Sequence, residues 1–226
     1  MNILAIDCAV SRLCIALKYE DKLISEILDI GMKQSEMLVP TIDEIMNKMG
    51  CKAENLDATA LTIGPGSFTG LRLGISALKA IELAFGIPVY GISSLDCYAY
   101  PFKNSSLPVL SCIDANKDKF YASIKQKEQF ILKEGDWDIE KIVEESKKLD
   151  RIIITGPDAE KLKAIISEQA PETELITIHN AKFDTAEVLI NITEEMIEQK
   201  KEPLKDFDGP VYLRASEAEI KLNNAQ

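Results

Sequence analysis

Residues 2–24 and 109–131 align without a gap at an offset of 107 residues, and this repeat constrains the fold of the 226-residue chain more than any other feature. Ile6-Asp7-Cys8-Ala9 matches Ile113-Asp114-Ala115-Asn116. Arg12-Leu13-Cys14-Ile15-Ala16-Leu17-Lys18 then matches Lys119-Phe120-Tyr121-Ala122-Ser123-Ile124-Lys125. Each copy reads as strand, aspartate turn, strand, short polar turn, strand. Few residues are identical, so two unrelated β-meanders would give a similar alignment. The order of elements downstream of each copy argues for duplication. After the first, the pattern predicts a helix over 36–49, a strand over 56–63, a helix over 69–85 and a strand over 87–92. After the second it predicts a helix over 139–149, a strand over 151–155, a helix over 159–168, a strand over 174–178 and a helix over 185–201. Antiparallel strands followed by strand–helix alternation predict an α/β protein with two mixed β-sheets flanked by helices.

The boundary between halves falls in the Pro-, Asn- and Ser-containing stretch 100–107, giving domains of 1–101 and 102–211. Composition shifts there: about 20 of the first 100 residues are charged, against about 43 of the last 126. The net charge is −11. Lys and Arg contacts to phosphate supply most non-specific nucleic-acid affinity, so a chain this acidic is not expected to grip a nucleic acid alone. Without a charge-free run near 18 residues, no membrane span is expected. The first residues enter a strand at once and lack a basic leader, so export is not expected. The five cysteines form no Cys-x-x-Cys pair and read as buried, reduced thiols of a cytoplasmic protein.

Between the apolar segments 56–63 and 71–85 lies Gly64-Pro65-Gly66-Ser67-Phe68-Thr69-Gly70-Leu71-Arg72. The geometry implied is a strand, a tight turn and a helix N-terminus. Gly64, Gly66 and Gly70 permit close approach of another chain or a ligand, and Ser67 or Thr69 can cap the first free amides. Those amides, with Arg72 nearby, suit an anion. A strand–helix turn that binds nothing has the same sequence pattern.

The run 64–74 also resembles the signature of the bacterial TsaB (YeaZ) family. Three further stretches resemble that family in order and spacing: Ile3-Leu4-Ala5-Ile6-Asp7-Cys8-Ala9, Val89-Tyr90-Gly91-Ile92-Ser93-Ser94-Leu95 and Pro210-Val211-Tyr212-Leu213-Arg214. The resemblance implies a duplicated ribonuclease-H-like core of the actin, Hsp70 and sugar-kinase superfamily, with a closing helix over about 212–226 packed back on the first half. It implies a function as well: a non-catalytic partner that binds and stabilises TsaD. TsaD places a threonylcarbamoyl group on N6 of the tRNA adenosine that follows the anticodon. It further implies docking of the ATPase TsaE, homodimerisation through first-half helices, and contact with tRNA only through the complex. No intrinsic cofactor is implied, although ATP or ADP could sit at the joint interface.

Asp7 and Asp114 end equivalent strands. In active superfamily members such aspartates position Mg²⁺ and nucleotide, and glycines follow them. Here Cys8-Ala9 and Ala115-Asn116 follow, so an ATP-binding enzyme, either an ATPase or a small-molecule kinase, is the alternative reading. Loop capping is the simpler use for such aspartates. With His179 as the single histidine, neither His-x-x-x-His nor His-Glu-x-x-His can form, and no metal site or catalytic residue is expected. Gln34-Ser35 stands where the family often carries His-Ser. Leu38, Ile42, Ile45 and Met49 recur at helical spacing, with Met46 alongside; Met32, Met37, Met46 and Met49 are four of six methionines. The second helix is apolar on nearly every side, and Gly70, Gly74 and Ala77 form a small-residue face near Leu78. The stripe reads as core or as a subunit interface. The resemblance favours the interface, with Leu38, Ile42, Ile45, Met46, Met49, Gly74, Ala77 and Leu78 as its residues.

Overall fold

Every residue of the first strand, Ile3–Asp7, is buried, as a strand covered on both faces requires. The computed structural model describes residues 1–127, 129–177 and 184–214. The first half is built from β1 (Ile3–Asp7), β2 (Arg12–Tyr19), β3 (Lys22–Asp29), α1 (Gln34–Met49), β4 (Ala58–Gly64), α2 (Phe68–Phe85), β5 (Val89–Ser93) and α3 (Ser94–Ala99). The second is built from β6 (Val109–Asp114), β7 (Lys119–Gln126), β8 (Gln129–Asp138), α4 (Ile139–Ser146), β9 (Arg151–Thr155), α5 (Ala159–Gln169) and β10 (Glu174–Thr177), followed by α6 (Thr185–Glu198). The two sheets run β3-β2-β1-β4-β5 and β8-β7-β6-β9-β10. In each, the first three strands are antiparallel and the last two join parallel to the opening strand's side. The topology is therefore duplicated. The repeat offset also separates β2 from β7 at both ends. A further match lies beyond the aligned repeat: Gly64 and Gly156 take φ values of 116° and 114°, and each precedes a proline. Only glycine holds that backbone without strain.

Side chains alternate along the first sheet. Leu4, Ile6, Leu13, Ile15 and Leu17 face one way, into a core closed by Leu38, Ile42 and Ile45 of α1 and by Ile75 and Leu78 of α2. Ile3, Ala5, Cys14, Ala16, Ala58 and Ala60 face the other. The alanines leave that face shallow, and Ala186, Val188, Leu189 and Ile190 of α6 fill it. Lys18 pairs with Glu194 at 2.6 Å and Tyr100 Oη donates to Glu195 at 2.7 Å, tying α6 down at its far end. In the second half, Leu110, Cys112, Phe120 and Ile124 pack against Ile142 and Val143 of α4 and Leu162 and Ile166 of α5.

The described residues divide into two units, 1–101 with 184–210 and 102–177 with 211–214. The segment that returns to the first unit is thus α6 and the chain after it, a helix that sequence order assigned to the second half. Residues 212–214, expected to open a closing helix, are not helical, and Arg214 is held within the second unit: Nε and Nη2 grip both oxygens of Asp136 at 2.7 and 2.8 Å. The rest of that expected helix lies outside the described residues. Among those residues, no helix is long and apolar enough to cross a membrane.

Candidate functional site

Asp7 faces the α6 side of the sheet, in phase with Ile3 and Ala5, and is 1% exposed. Its Oδ1 accepts from the Ala9 amide at 2.8 Å and from Thr62 Oγ1 at 2.6 Å. Its Oδ2 accepts from Thr185 Oγ1 at 2.6 Å. One carboxylate therefore closes its own turn, bridges to β4 and receives the first residue of α6. A buried carboxylate needs this many donors to remain in place of its hydration shell. The α6 N-terminus is fixed again by Asp184, whose Oδ1 accepts from the amides of Ala186 and Glu187 and whose Oδ2 accepts from Ser25 Oγ. Cys97 Sγ donates to Thr185 O beside it. Burial first, then the Asp7 charge, pushes the Cys14 thiol up to about 12 and lifts Cys8 and Cys97 far above the usual thiol range. These thiols stay protonated and are poor nucleophiles.

The turn after Asp7 is where the glycine-rich run docks. A side-chain carbon on Gly66 would collide with the Ala9 carbonyl, and one on Gly70 with the Cys8 carbonyl. The Ser67 amide donates to Ala9 O at 2.7 Å, and Ser67 Oγ caps α2 by accepting from the Gly70 amide at 3.2 Å. Gln34 completes the junction: its Nε2 donates to Val10 O at 2.5 Å and to Arg12 O at 3.2 Å. Gly66 and Gly70 bring the start of α2 directly against the backbone of the β1–β2 turn. Thr69 is exposed, and Arg72 is exposed with its guanidinium 3.9 Å from the centre of the Phe68 ring. The sequence marks Gln34 as a departure but assigns it no role. Its place beside a turn rich in backbone carbonyls is the signal that an amide donor is needed.

Asp114 is arranged differently. Its Oδ2 accepts from Lys161 Nζ at 2.5 Å and its Oδ1 from the Asn116 amide at 2.8 Å, while its own amide donates to Asp158 Oδ2. Partial burial pulls its pKa up, but the Lys161 ammonium and the Asn116 amide outweigh this and hold it below its ordinary value. Arg214 Nη1 donates to Ala115 O at 2.8 Å, so the Tyr-Leu-Arg motif fixes the turn after Asp114. Among the described residues, no group of three or more His, Cys, Asp or Glu side chains is placed to hold a metal ion. His179 lies outside the described residues.

The residues expected at a subunit interface are largely spent inside the first unit. Leu38, Ile45 and Leu78 are fully buried, and Ile42 and Gly74 are buried with them. Gly74 lets α2 cross close over Ile6, Cys8 and Leu61, so its small-residue face serves the chain's own sheet. Met46, Met49 and Ala77 are half-buried against the same core. What faces outward is a different set: Met37 and Val39 on α1, and on α2 Ser76, Ala80, Leu83 and Ala84, with Leu83 90% exposed. No charged residue interrupts that face of α2 after Arg72.

The family profile described as "TsaD: tRNA N6-adenosine threonylcarbamoyltransferase" matches residues 31–222. The tRNA threonylcarbamoyladenosine biosynthesis protein TsaB of Bacillus subtilis is 27% identical, over 100% of both chains. A crystal structure from Pseudomonas aeruginosa, an uncharacterized protein with similarity to peptidase YEAZ, superposes with a TM-score of 0.77 at 22% identity, covering 94% of this chain and 99% of that one. An inorganic polyphosphate/ATP-glucomannokinase from Arthrobacter shares the fold at a TM-score of 0.51 and 11% identity, covering 86% of this chain and 99% of that one.

Proposed function

The chain belongs to the TsaD family of tRNA N6-adenosine threonylcarbamoyltransferases and stands within it among the TsaB (YeaZ) proteins; on that premise we propose that it is the non-catalytic partner that binds and steadies TsaD in making threonylcarbamoyladenosine. TsaD would carry out the transfer to N6 of the adenosine following the anticodon. TsaE would dock on the joint surface, and any ATP or ADP would sit at that joint surface. A net charge of −11 supports a role in which tRNA is held by the complex and not by this chain.

The observation that carries the reading is the state of Asp7. An ATPase or kinase of this fold needs that carboxylate open to a cation and nucleotide. Here both oxygens are taken by Ala9, Thr62 and Thr185, and the neighbouring glycines are packed on backbone. A carboxylate committed to three internal donors serves the fold. The outward faces of α1 and α2, with Met37, Val39, Ala80 and Leu83, support docking of TsaD, or of a second copy in its absence. A reconstituted transfer assay tests this. TsaD with this chain should form threonylcarbamoyladenosine, and this chain without TsaD should form none. Asp7→Asn should retain transfer wherever it retains folding and TsaD binding. A folded, TsaD-bound Asp7→Asn that transfers nothing would give Asp7 a chemical role and overturn the reading.

A further inference from the structure

The chain after α6 stays on the first unit as a strap. The Leu204 amide donates to Val89 O at 2.8 Å on β5, and the Leu204 side chain seats over Gly91. Lys79 of α2 clamps it from the side, with Nζ donating to the carbonyls of Leu204 at 3.3 Å and Lys205 at 3.0 Å while pairing with Glu82 at 2.6 Å. Beyond the clamp, residues 205–208 close a turn on themselves. The Asp208 amide donates to Lys205 O at 3.1 Å, and the Lys205 amide donates to Asp208 Oδ2 at 2.7 Å. At the tip of this fixed turn Phe207 is 100% exposed, more than any other large apolar side chain described.

We propose that Phe207 is a preformed anchor that inserts into an apolar pocket rimmed by Lys or Arg on the TsaD subunit. The inference rests on the partner reading above and adds a contact to it. An aromatic ring held out on a turn that is already hydrogen-bonded and clamped loses little freedom when it docks, the arrangement that makes a strong anchor. Asp206 stands exposed directly beside the ring and favours a basic group on the receiving rim, while Asp208 is engaged by the Lys205 amide and the exposed Lys205 lies on the far side of the turn. A second copy of this chain, itself at −11, fits that requirement poorly. The clamp places the turn beside α2, where Lys79 is followed by the outward-facing Ala80 and Leu83.

The test is equilibrium binding of the full chain to purified TsaD from the same host, at about 0.15 M and about 0.5 M salt. Phe207→Ala should weaken binding about tenfold or more with an unchanged melting temperature, and Phe207→Tyr should restore most of the loss. Asp206→Lys should weaken binding and flatten its salt dependence. Phe207→Ala binding within about twofold of the parent, while Leu83→Glu abolishes binding, overturns the anchor and leaves the partner reading standing. A parent chain that does not bind TsaD overturns both.

Discussion

Thr185 Oγ1 donates to Asp7 Oδ2 at 2.6 Å, joining residues 178 positions apart in the chain. This bond brings the first residue of α6 to the end of β1, and with Thr62 and the Ala9 amide it satisfies the carboxylate from three directions. Asp7→Ala should therefore leave two hydroxyls and an amide without their acceptor in a water-free place. It should cost about 3 kcal/mol, and Thr185→Val about 1–2 kcal/mol. Urea unfolding of the two single variants and the double variant measures both, and a coupling near zero would contradict the clamp.

The two buried glycines of α2 should respond differently to the same methyl group. Gly70→Ala forces a carbon against the Cys8 carbonyl and should destabilise by about 2–3 kcal/mol, whereas Gly74→Ala meets Leu61, Cys8 and Ile6 at ordinary contact distances of 3.6–3.7 Å and should cost under about 1 kcal/mol. Thermal melts of both variants decide it. Equal costs would mean that the glycine run is not shaped by packing on the β1–β2 turn.

The thiols around Asp7 set an alkaline limit. Their native pKa values lie above the unfolded value of 9.0, with Cys14 at about 12, so above pH 9 the thiols ionise in the unfolded state before they ionise in the folded one. That contribution is intact below pH 9 and is lost as pH rises from there toward the native values. At pH 8 the native protein should leave Cys8, Cys14, Cys97 and Cys112 unmodified by a thiol reagent, and all five cysteines should react in denaturant. Stability should fall above pH 9.

Asp114 sets the acid counterpart. Its pKa is lowered from 3.8, so its bond to Lys161 stabilises the fold above that value and is lost as pH falls through the lower native value. The stability difference between the parent and Lys161→Met should therefore shrink as pH drops from 6 to below 3.8. A difference that stays constant over that range would mean the pair contributes nothing.

Much of the fold was legible because the periodicities were clean. The alternation in β1 and β2, the repeat that carries it to β6 and β7, and the glycine-rich run after β4 all lie within short windows. The six-residue α3 was not legible: its only local mark is Ser93, whose Oγ accepts from the Leu95 and Asp96 amides. The destination of α6 was not legible either, because an amphipathic helix declares its apolar face and not the sheet it covers. The marks of its seat are spread over Ala5, Ala16, Ala58 and Ala60, which become one shallow face only after β1, β2 and β4 pair. The same limit applies to α1. The period of Leu38, Ile42 and Ile45 marks a buried stripe, and what buries it is the chain's own core. Asp7 was legible as a strand-end aspartate, but its use depends on Thr62 and Thr185, which no local pattern connects to it.

The most direct test of the partner role is tRNA nucleoside mass spectrometry after depleting this protein in its own host. Threonylcarbamoyladenosine should fall, and both the parent chain and a folded Asp7→Asn variant should restore it. A Leu83→Glu variant that no longer binds TsaD should not restore it. Unchanged threonylcarbamoyladenosine after depletion, or full restoration by a variant that cannot bind TsaD, would contradict the partner role.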